Sequence, residues 1–176
     1  MNLGLERGKV QLAPYDPEWA TYFNTEADQI KTLLGKKLLG IEHIGSTSIP
    51  GMDAKPILDL MVAVNSIDDY AEYIEQLQKL GYSFRQDNRN EQEHILFVKG
   101  PEEKRTHYLK LTTPDSNFWR EHVLFRDYLI HHPNRAEEYR LLKHDLLNKF
   151  ANERSKYTED KADFIKETII LAEQKN

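Results

Sequence analysis

The stretch Glu42-His43-Ile44-Gly45-Ser46-Thr47-Ser48-Ile49-Pro50-Gly51-Met52-Asp53-Ala54-Lys55-Pro56-Ile57-Leu58-Asp59-Leu60 decides how this chain is read. Leu38 to Ile44 reads as a strand, and the small residues Gly45 to Gly51 break it. Pro56 to Val64 then resumes as an almost continuously apolar run, the pattern of a central strand. A strand ending in Gly45-Ser46 lets backbone N–H groups approach an anion closely, since glycine adds no Cβ and serine adds a hydroxyl donor. Thr47 and Ser48 supply two more donors, and a following helical turn would aim its positive end at the same point. Lys55 adds a mobile cation. Asp59 interrupts the apolar strand, where a carboxylate is costly unless paired or metal-bound. It is placed to hold a divalent metal bridging phosphate oxygens, with an ion pair to Lys55 or another cation as the alternative.

Outward from this segment the periodicity alternates between strand and helix. Val10 to Leu12 is a short alternating piece that suits an edge strand. Asp16-Pro17-Glu18-Trp19 is a helix start, with Asp16 as cap and Pro17 in the first turn, and an apolar face runs through Trp19, Phe23, Ala27, Ile30 and Leu34 to Gly35. Asp68 to Leu80 is helical, Tyr82 to Phe84 extended, and His94 to Val98 with Thr106 to Leu111 predicts an antiparallel hairpin. From Asp115 onward the pattern is helical, with breaks at His132-Pro133 and around Asn152 to Thr158. The expectation is one α+β domain over residues 1–176, a mixed sheet with a helical C-terminal third packed against it.

Composition narrows the function. The 176 residues carry 24 basic and 29 acidic side chains, a formal charge of −5, which argues against a protein that coats nucleic acid. No run approaches the roughly 20 apolar residues of a membrane helix, and Met1 to Lys9 lacks the apolar core of a secretory signal, so a cytoplasmic location is expected. With no cysteine there is neither a disulfide framework nor a thiolate nucleophile or metal site.

Strand, Gly-Ser, short helix, then aspartate on an apolar strand is similar to the signature of the DNA polymerase beta-like nucleotidyltransferases. The wording His43-Ile44-Gly45-Ser46-Thr47-Ser48-Ile49-Pro50-Gly51 with Ala54-Lys55-Pro56-Ile57-Leu58-Asp59 resembles the GrpB family within that superfamily. Tyr15 to Trp19, Phe125 to Leu129 with His132-Pro133, and Tyr157 with Lys161 resemble further parts of the same family. The resemblance implies a nucleotidyltransferase-like fold that binds a nucleotide or other phosphorylated small molecule and transfers a nucleotidyl or phosphoryl group with Mg²⁺. It also implies an alternative, a non-catalytic ligand-binding or protein-interaction module, since a related domain is fused to dephospho-coenzyme A kinase in some proteins. The superfamily's two-metal chemistry uses two carboxylates one residue apart and a third on a neighbouring strand. This chain has Asp59 but Met61 in the second place, and a thioether is a poor ligand for a hard ion. On the candidate third strand it offers His107 and Lys110.

The expected roles follow. Gly45, Ser46 and Thr47 cradle phosphate, Asp59 holds a single Mg²⁺, Lys55, Arg126 and Lys161 neutralise charge, and His43 or His107 orients or deprotonates an acceptor. The bland alternatives are a core histidine for His43, a hydrogen-bond partner for His107 and a local ion pair with Asp127 or a neighbouring acid for Arg126. If Thr158 caps the last helix, Lys161 stands in a first turn that disfavours cations, which a nearby anion would explain. Glu93 is a reserve acid, whereas His131, His132, His144 and the lysines around Lys143 read as cap or solvated surface.

Overall fold

Alternation of apolar and polar residues in the central third builds a sheet whose two faces serve different purposes. The computed structural model describes residues 3–6, 11–68, 70–85, 93–150 and 154–174. In chain order the elements are β1 (Leu5–Glu6), α1 (Glu18–Leu34), β2 (Gly40–Ile44), β3 (Leu58–Ala63), α2 (Tyr70–Gln78), β4 (Tyr82–Phe84) and β5 (His94–Lys99). Then come β6 (Lys104–Arg105), β7 (His107–Thr112), α3 (Asn117–His131), α4 (Pro133–Phe150), α5 (Arg154–Glu159) and α6 (Ala162–Glu173). Five strands form one sheet in the order β2-β3-β7-β5-β4, and β1 pairs with β6 apart from it. Only β3 and β7 run parallel within the five-stranded sheet, and β5 and β7 are the expected antiparallel hairpin. The α+β architecture agrees with the sequence.

Successive side chains on a strand point to opposite faces. Leu58, Leu60 and Val62 of β3 therefore join Leu109 and Leu111 of β7 in a core covered by Trp19, Ile30 and Leu34 of α1 and Tyr73 and Leu77 of α2. Asp59 and Met61 turn the other way. Helix α1 begins where Asp16 Oδ1 accepts the Glu18 N–H at 2.9 Å, and Pro17 stands just before the first turn. On the opposite side of the sheet, Ile49 and Met52 of the loop after β2 pack with Leu129 of α3 and Tyr139 of α4, backed by Phe164 and Ile165 of α6. The helical third thus closes on the loop and leaves the middle of the sheet as a floor.

Three local expectations are corrected. Val10 lies outside the described residues, Leu12 is not in a strand, and Ala13 instead makes an isolated antiparallel bridge to Ala54. Thr158 lies inside α5 and does not cap the last helix; Lys161 itself occupies the cap position of α6. The turn after Gly45 is a single 3₁₀ turn, Ser46–Ser48, too short to develop a helix dipole. Among the described residues no helix is long and apolar enough to cross a membrane.

Candidate functional site

Over the β3–β7–β5 floor lies a cavity of about 670 Å³. Asp59, Tyr108, Lys110, Leu96 and Val98 form its floor, Gly45, Ser46 and Thr47 its near edge, and Phe125, Tyr139, Ile165 and Ile169 its helical wall. Six basic side chains, Lys55, Arg85, Arg105, Lys110, Lys143 and Lys161, face three acidic ones, Asp59, Glu102 and Glu121. A surplus of positive charge in a concave, partly apolar site of a chain with net charge −5 concentrates anions there.

The near edge is shaped by a close approach that only glycine permits. Gly45 has φ of 72°, and a Cβ there would lie 2.8 Å from Asp59 Oδ2 and 3.1 Å from Asp59 Cβ. Ser48 Oγ donates to the Gly45 carbonyl at 2.6 Å and holds the turn. Ser46 lies against the Tyr139 hydroxyl, whose pKa burial pushes up to about 12 against the opposing effect of the Ser46 hydrogen bond. Thr47 is buried, its hydroxyl 2.9 Å from His43 Nε2 and 3.5 Å from the Ile57 carbonyl, so the hydroxyl has partners within the fold.

On the floor Lys110 Nζ donates to Asp59 Oδ1 at 3.1 Å. Register explains the pair: Asp59 stands opposite Tyr108, Met61 opposite Lys110, and all four side chains share one face. The alternative partner foreseen for Asp59, a cation, is therefore Lys110. Mg²⁺ requires several oxygen ligands in near-octahedral geometry. The residues present do not fit it: the neighbouring position on β3 is the thioether of Met61, the facing strand supplies an ammonium, and Asp59 is already engaged. Among the described residues no group of three or more histidine or acidic side chains is arranged to hold a metal. His122 of α3 also lines the cavity. Its Nδ1 lies 2.8 Å from the Phe118 carbonyl, which can only accept, so Nδ1 carries the proton. Burial and then the Lys110 charge lower its pKa to about 4, leaving a neutral ring.

The strongest concentration of positive charge surrounds Tyr157. Lys55 Nζ lies 4.4 Å and Lys161 Nζ 4.7 Å from the centre of its ring. Lys143 is 2% exposed, with its Nζ donating to the Asp53 carbonyl and 5.0 Å from the Tyr139 ring. Burial, reinforced by the Lys161 charge, lowers its pKa to about 7. Asp53 also accepts from His144 Nε2 at 2.7 Å and Arg140 Nη1 at 3.4 Å, which ties α4 to the loop before β3. Lys161 stands at the positive end of the twelve-residue helix α6, a place that favours an anion.

Of the nine residues singled out by sequence, Gly45, Ser46, Thr47, Lys55, Asp59 and Lys161 line this one cavity. His43, His107 and Arg126 do not. His43 stands opposite Leu60 and stacks on Phe23 at 4.7 Å, and burial lowers its pKa to about 4. His107 stands opposite Leu58, on the core face, where burial lowers its pKa to about 4 against the pull of Glu26. Its neighbours there are Tyr82 and the buried Glu26, which accepts from the partly exposed Lys99 at 2.8 Å. Arg126 donates to Glu42 Oε2 at 2.5 Å, to the His43 carbonyl at 2.9 Å and to Asp127 Oδ1 at 2.7 Å, fastening α3 to β2. Glu93 accepts the Phe118 N–H at 2.6 Å and so caps α3. Sequence reading passed over Lys143, Tyr139 and His122 because charge interleaving and core periodicity describe one helix at a time; the only available signal was that Lys143 lies four residues after Tyr139, on the same helical face.

The sequence profile described as GrpB protein matches residues 9–170. The chain is 32% identical over 170 residues to the glutamate-rich protein GrpB of Alkalihalophilus pseudofirmus, covering 95% of this chain and 98% of that protein. It is 37% identical over 158 residues to the UPF0157 protein YqkA of Bacillus subtilis, covering 90% of this chain but only 46% of YqkA, so it spans less than half the length of that relative. The crystal structure of the conserved protein GrpB from Enterococcus faecalis superimposes with a TM-score of 0.83 at 33% identity, covering 94% of this chain and 98% of that one. A segment of 81 residues, 44% of this chain, is 35% identical to 20% of the dephospho-CoA kinase of Mycolicibacterium paratuberculosis.

Proposed function

The chain belongs to the GrpB family, and from its cavity we propose that it binds a phosphate-bearing small molecule through lysine ammoniums and the Gly45–Thr47 loop rather than through Mg²⁺. The observation that carries this reading is the pair Lys55 and Lys161 over the Tyr157 ring, with Lys143, over the Tyr139 ring and within reach of the Lys161 charge, lining the same cavity. The Lys161 charge disfavours the charged form of Lys143, and a dianionic group beside them offsets that repulsion. Ser46 and the loop backbone supply neutral donors, and the apolar wall accommodates the rest of a phosphate ester. Lys110 occupies the position from which a divalent ion would neutralise Asp59 and a phosphate together. Nucleotidyl transfer by the superfamily's metal mechanism therefore lacks its ligands here, and the binding-module alternative is the better supported of the two.

Thermal-shift measurements on the purified chain with phosphate, pyrophosphate, nucleoside triphosphates and coenzyme A precursors, in EDTA and in Mg²⁺, test the reading. The segment similar to dephospho-CoA kinase is the reason for including coenzyme A precursors. A rise in Tm in EDTA that disappears in Lys161→Ala is expected, because a ligand that binds the native state raises its stability by mass action. A rise seen only with Mg²⁺ and lost in Asp59→Ala overturns it in favour of the metal-assisted enzyme.

A further inference from the structure

Two acceptors in the cavity are not used by a bound phosphate. Lys110 Nζ bonds Oδ1 of Asp59, and the other oxygen, Oδ2, faces the loop, being the atom that a Cβ at Gly45 would meet at 2.8 Å. The Asp59 side chain is 27% exposed and that of Lys110 21%, so the pair opens on the cavity and is not sealed beneath it. His122 supplies the second acceptor. Its Nδ1–H is committed to the Phe118 carbonyl of its own helix, and the Phe118 ring packs on the imidazole with centroids 4.1 Å apart. Nε2, across the ring from that bond, is therefore a bare lone pair. Among the described residues the sealed side-chain polar atoms without a partner are Gln76 Oε1, Tyr82 Oη and His94 Nδ1. Asp59 Oδ2 and His122 Nε2 also bond no described residue, yet they are not among the sealed atoms, so both are open to solvent where their residues line the cavity. The Lys110 and Asp59 charges both act on the His122 ring, which puts the three side chains within electrostatic reach of one another.

Charge and donor count decide what fits there. Two acceptors repel an anion, and Lys110 already balances the carboxylate, so a cation gains little. A hydroxyl suits the cluster because its one oxygen both donates and accepts: it donates to Asp59 or His122 and accepts from Lys110, whose ammonium has three N–H donors and spends one on Asp59. Because Oδ2 borders the loop, that hydroxyl belongs on a carbon close to the phosphate. Resting on the phosphate reading above, we propose that the cavity selects phosphorylated polyols, with Asp59 Oδ2 and His122 Nε2 accepting from hydroxyls of the ligand and Lys110 donating to them. The carbon skeleton lies against the apolar lining at Leu96 and Phe125. An ester of the same size without hydroxyls takes water from these groups and returns no hydrogen bond, which costs affinity.

Isothermal titration of the full chain in EDTA with glycerol phosphate, propyl phosphate and aminopropyl phosphate tests the inference. Glycerol phosphate is expected to bind about tenfold more tightly than propyl phosphate, which has the same carbons and the same phosphate, and more tightly than aminopropyl phosphate. In His122→Phe, which keeps a ring against Phe118, and in Asp59→Ala that advantage vanishes while propyl phosphate keeps at least its original affinity. Lys161→Ala weakens all three esters. Glycerol phosphate binding no more tightly than propyl phosphate, an advantage that either variant leaves intact, or tighter binding of aminopropyl phosphate overturns the hydroxyl selection and leaves the phosphate reading standing. Binding of none of the three overturns the phosphate reading and this inference with it.

Discussion

On the phosphate-binding reading proposed above, Lys143 makes binding a proton-linked event whose sign follows from its lowered pKa. Its pKa lies near 7 because the side chain is buried and Lys161 adds a second positive charge, with Asp53 pulling weakly the other way. A bound dianion favours the ammonium, so the pKa rises in the complex. Below pH 7 the lysine is already charged and binding takes up no proton from it. Above pH 7 binding must recharge it, taking up about half a proton at pH 7 and about 0.9 at pH 8. Affinity at pH 8 is then weaker than at pH 6 by about tenfold, or about 1.4 kcal/mol. The second ionisation of a phosphate ester, near pH 6, opposes this by about twofold. Titration calorimetry at pH 8 in buffers of different ionisation enthalpy measures the proton uptake directly, and Lys143→Met, which keeps the apolar stem, supplies the baseline. A proton uptake of zero at pH 8, or a pH profile identical in Lys143→Met, refutes the reasoning.

Four further outcomes are expected. Gly45→Ala, which places a methyl 2.8 Å from Asp59 Oδ2 at a φ of 72°, destabilises the protein by about 1–3 kcal/mol in urea denaturation. Asp59→Asn removes a negative charge from beside the ligand and tightens phosphate binding in EDTA by about threefold, whereas loss of binding would restore a metal-ligand role. Arg126→Met frees α3 from β2 and costs about 2 kcal/mol of stability while leaving phosphate affinity unchanged, as calorimetry on the folded variant would show. His107 is neutral in the fold, with a pKa of about 4 against 6.5 when unfolded, so its contribution is complete above pH 6.5 and is lost as pH falls to 4. That loss amounts to about 3 kcal/mol over the window, and His107→Gln lowers the slope of stability against pH there by about one proton.

Strand and helix periods were legible because they depend on residues near in sequence. The apolar run through β3, the helix opened by Asp16 and the hairpin of β5 and β7 all stand close to where their patterns predicted them. The Gly45-Ser46 loop was legible too, since a glycine between a strand and a run of hydroxyl residues has few structural uses. What the sequence could not carry was register across the sheet. Of the two residues that the third strand offers, His107 is one residue from Tyr108, the neighbour of Asp59, and a step of one residue carries a side chain to the opposite face. That single step puts His107 in the core beside Glu26, while Lys110 keeps the cavity face and bonds Asp59.

Burial of charge was likewise decided only in three dimensions. Lys143 belongs to a helix of interleaved charges that reads as solvated, yet α4 lies against the loop before β3, and its lysine reaches the Asp53 carbonyl. Arg126 shows the reverse: its type and spacing suit a phosphate contact, and the acid that claims it, Glu42, is 84 residues away in the chain. The sequence by itself determined most of the elements, the fold class and the glycine loop that ends β2, because local sterics and hydrophobic period are written residue by residue. Which charges meet was settled by strand register and helix docking, because Coulomb and hydrogen-bond partners are chosen by distance in space and not by distance along the chain.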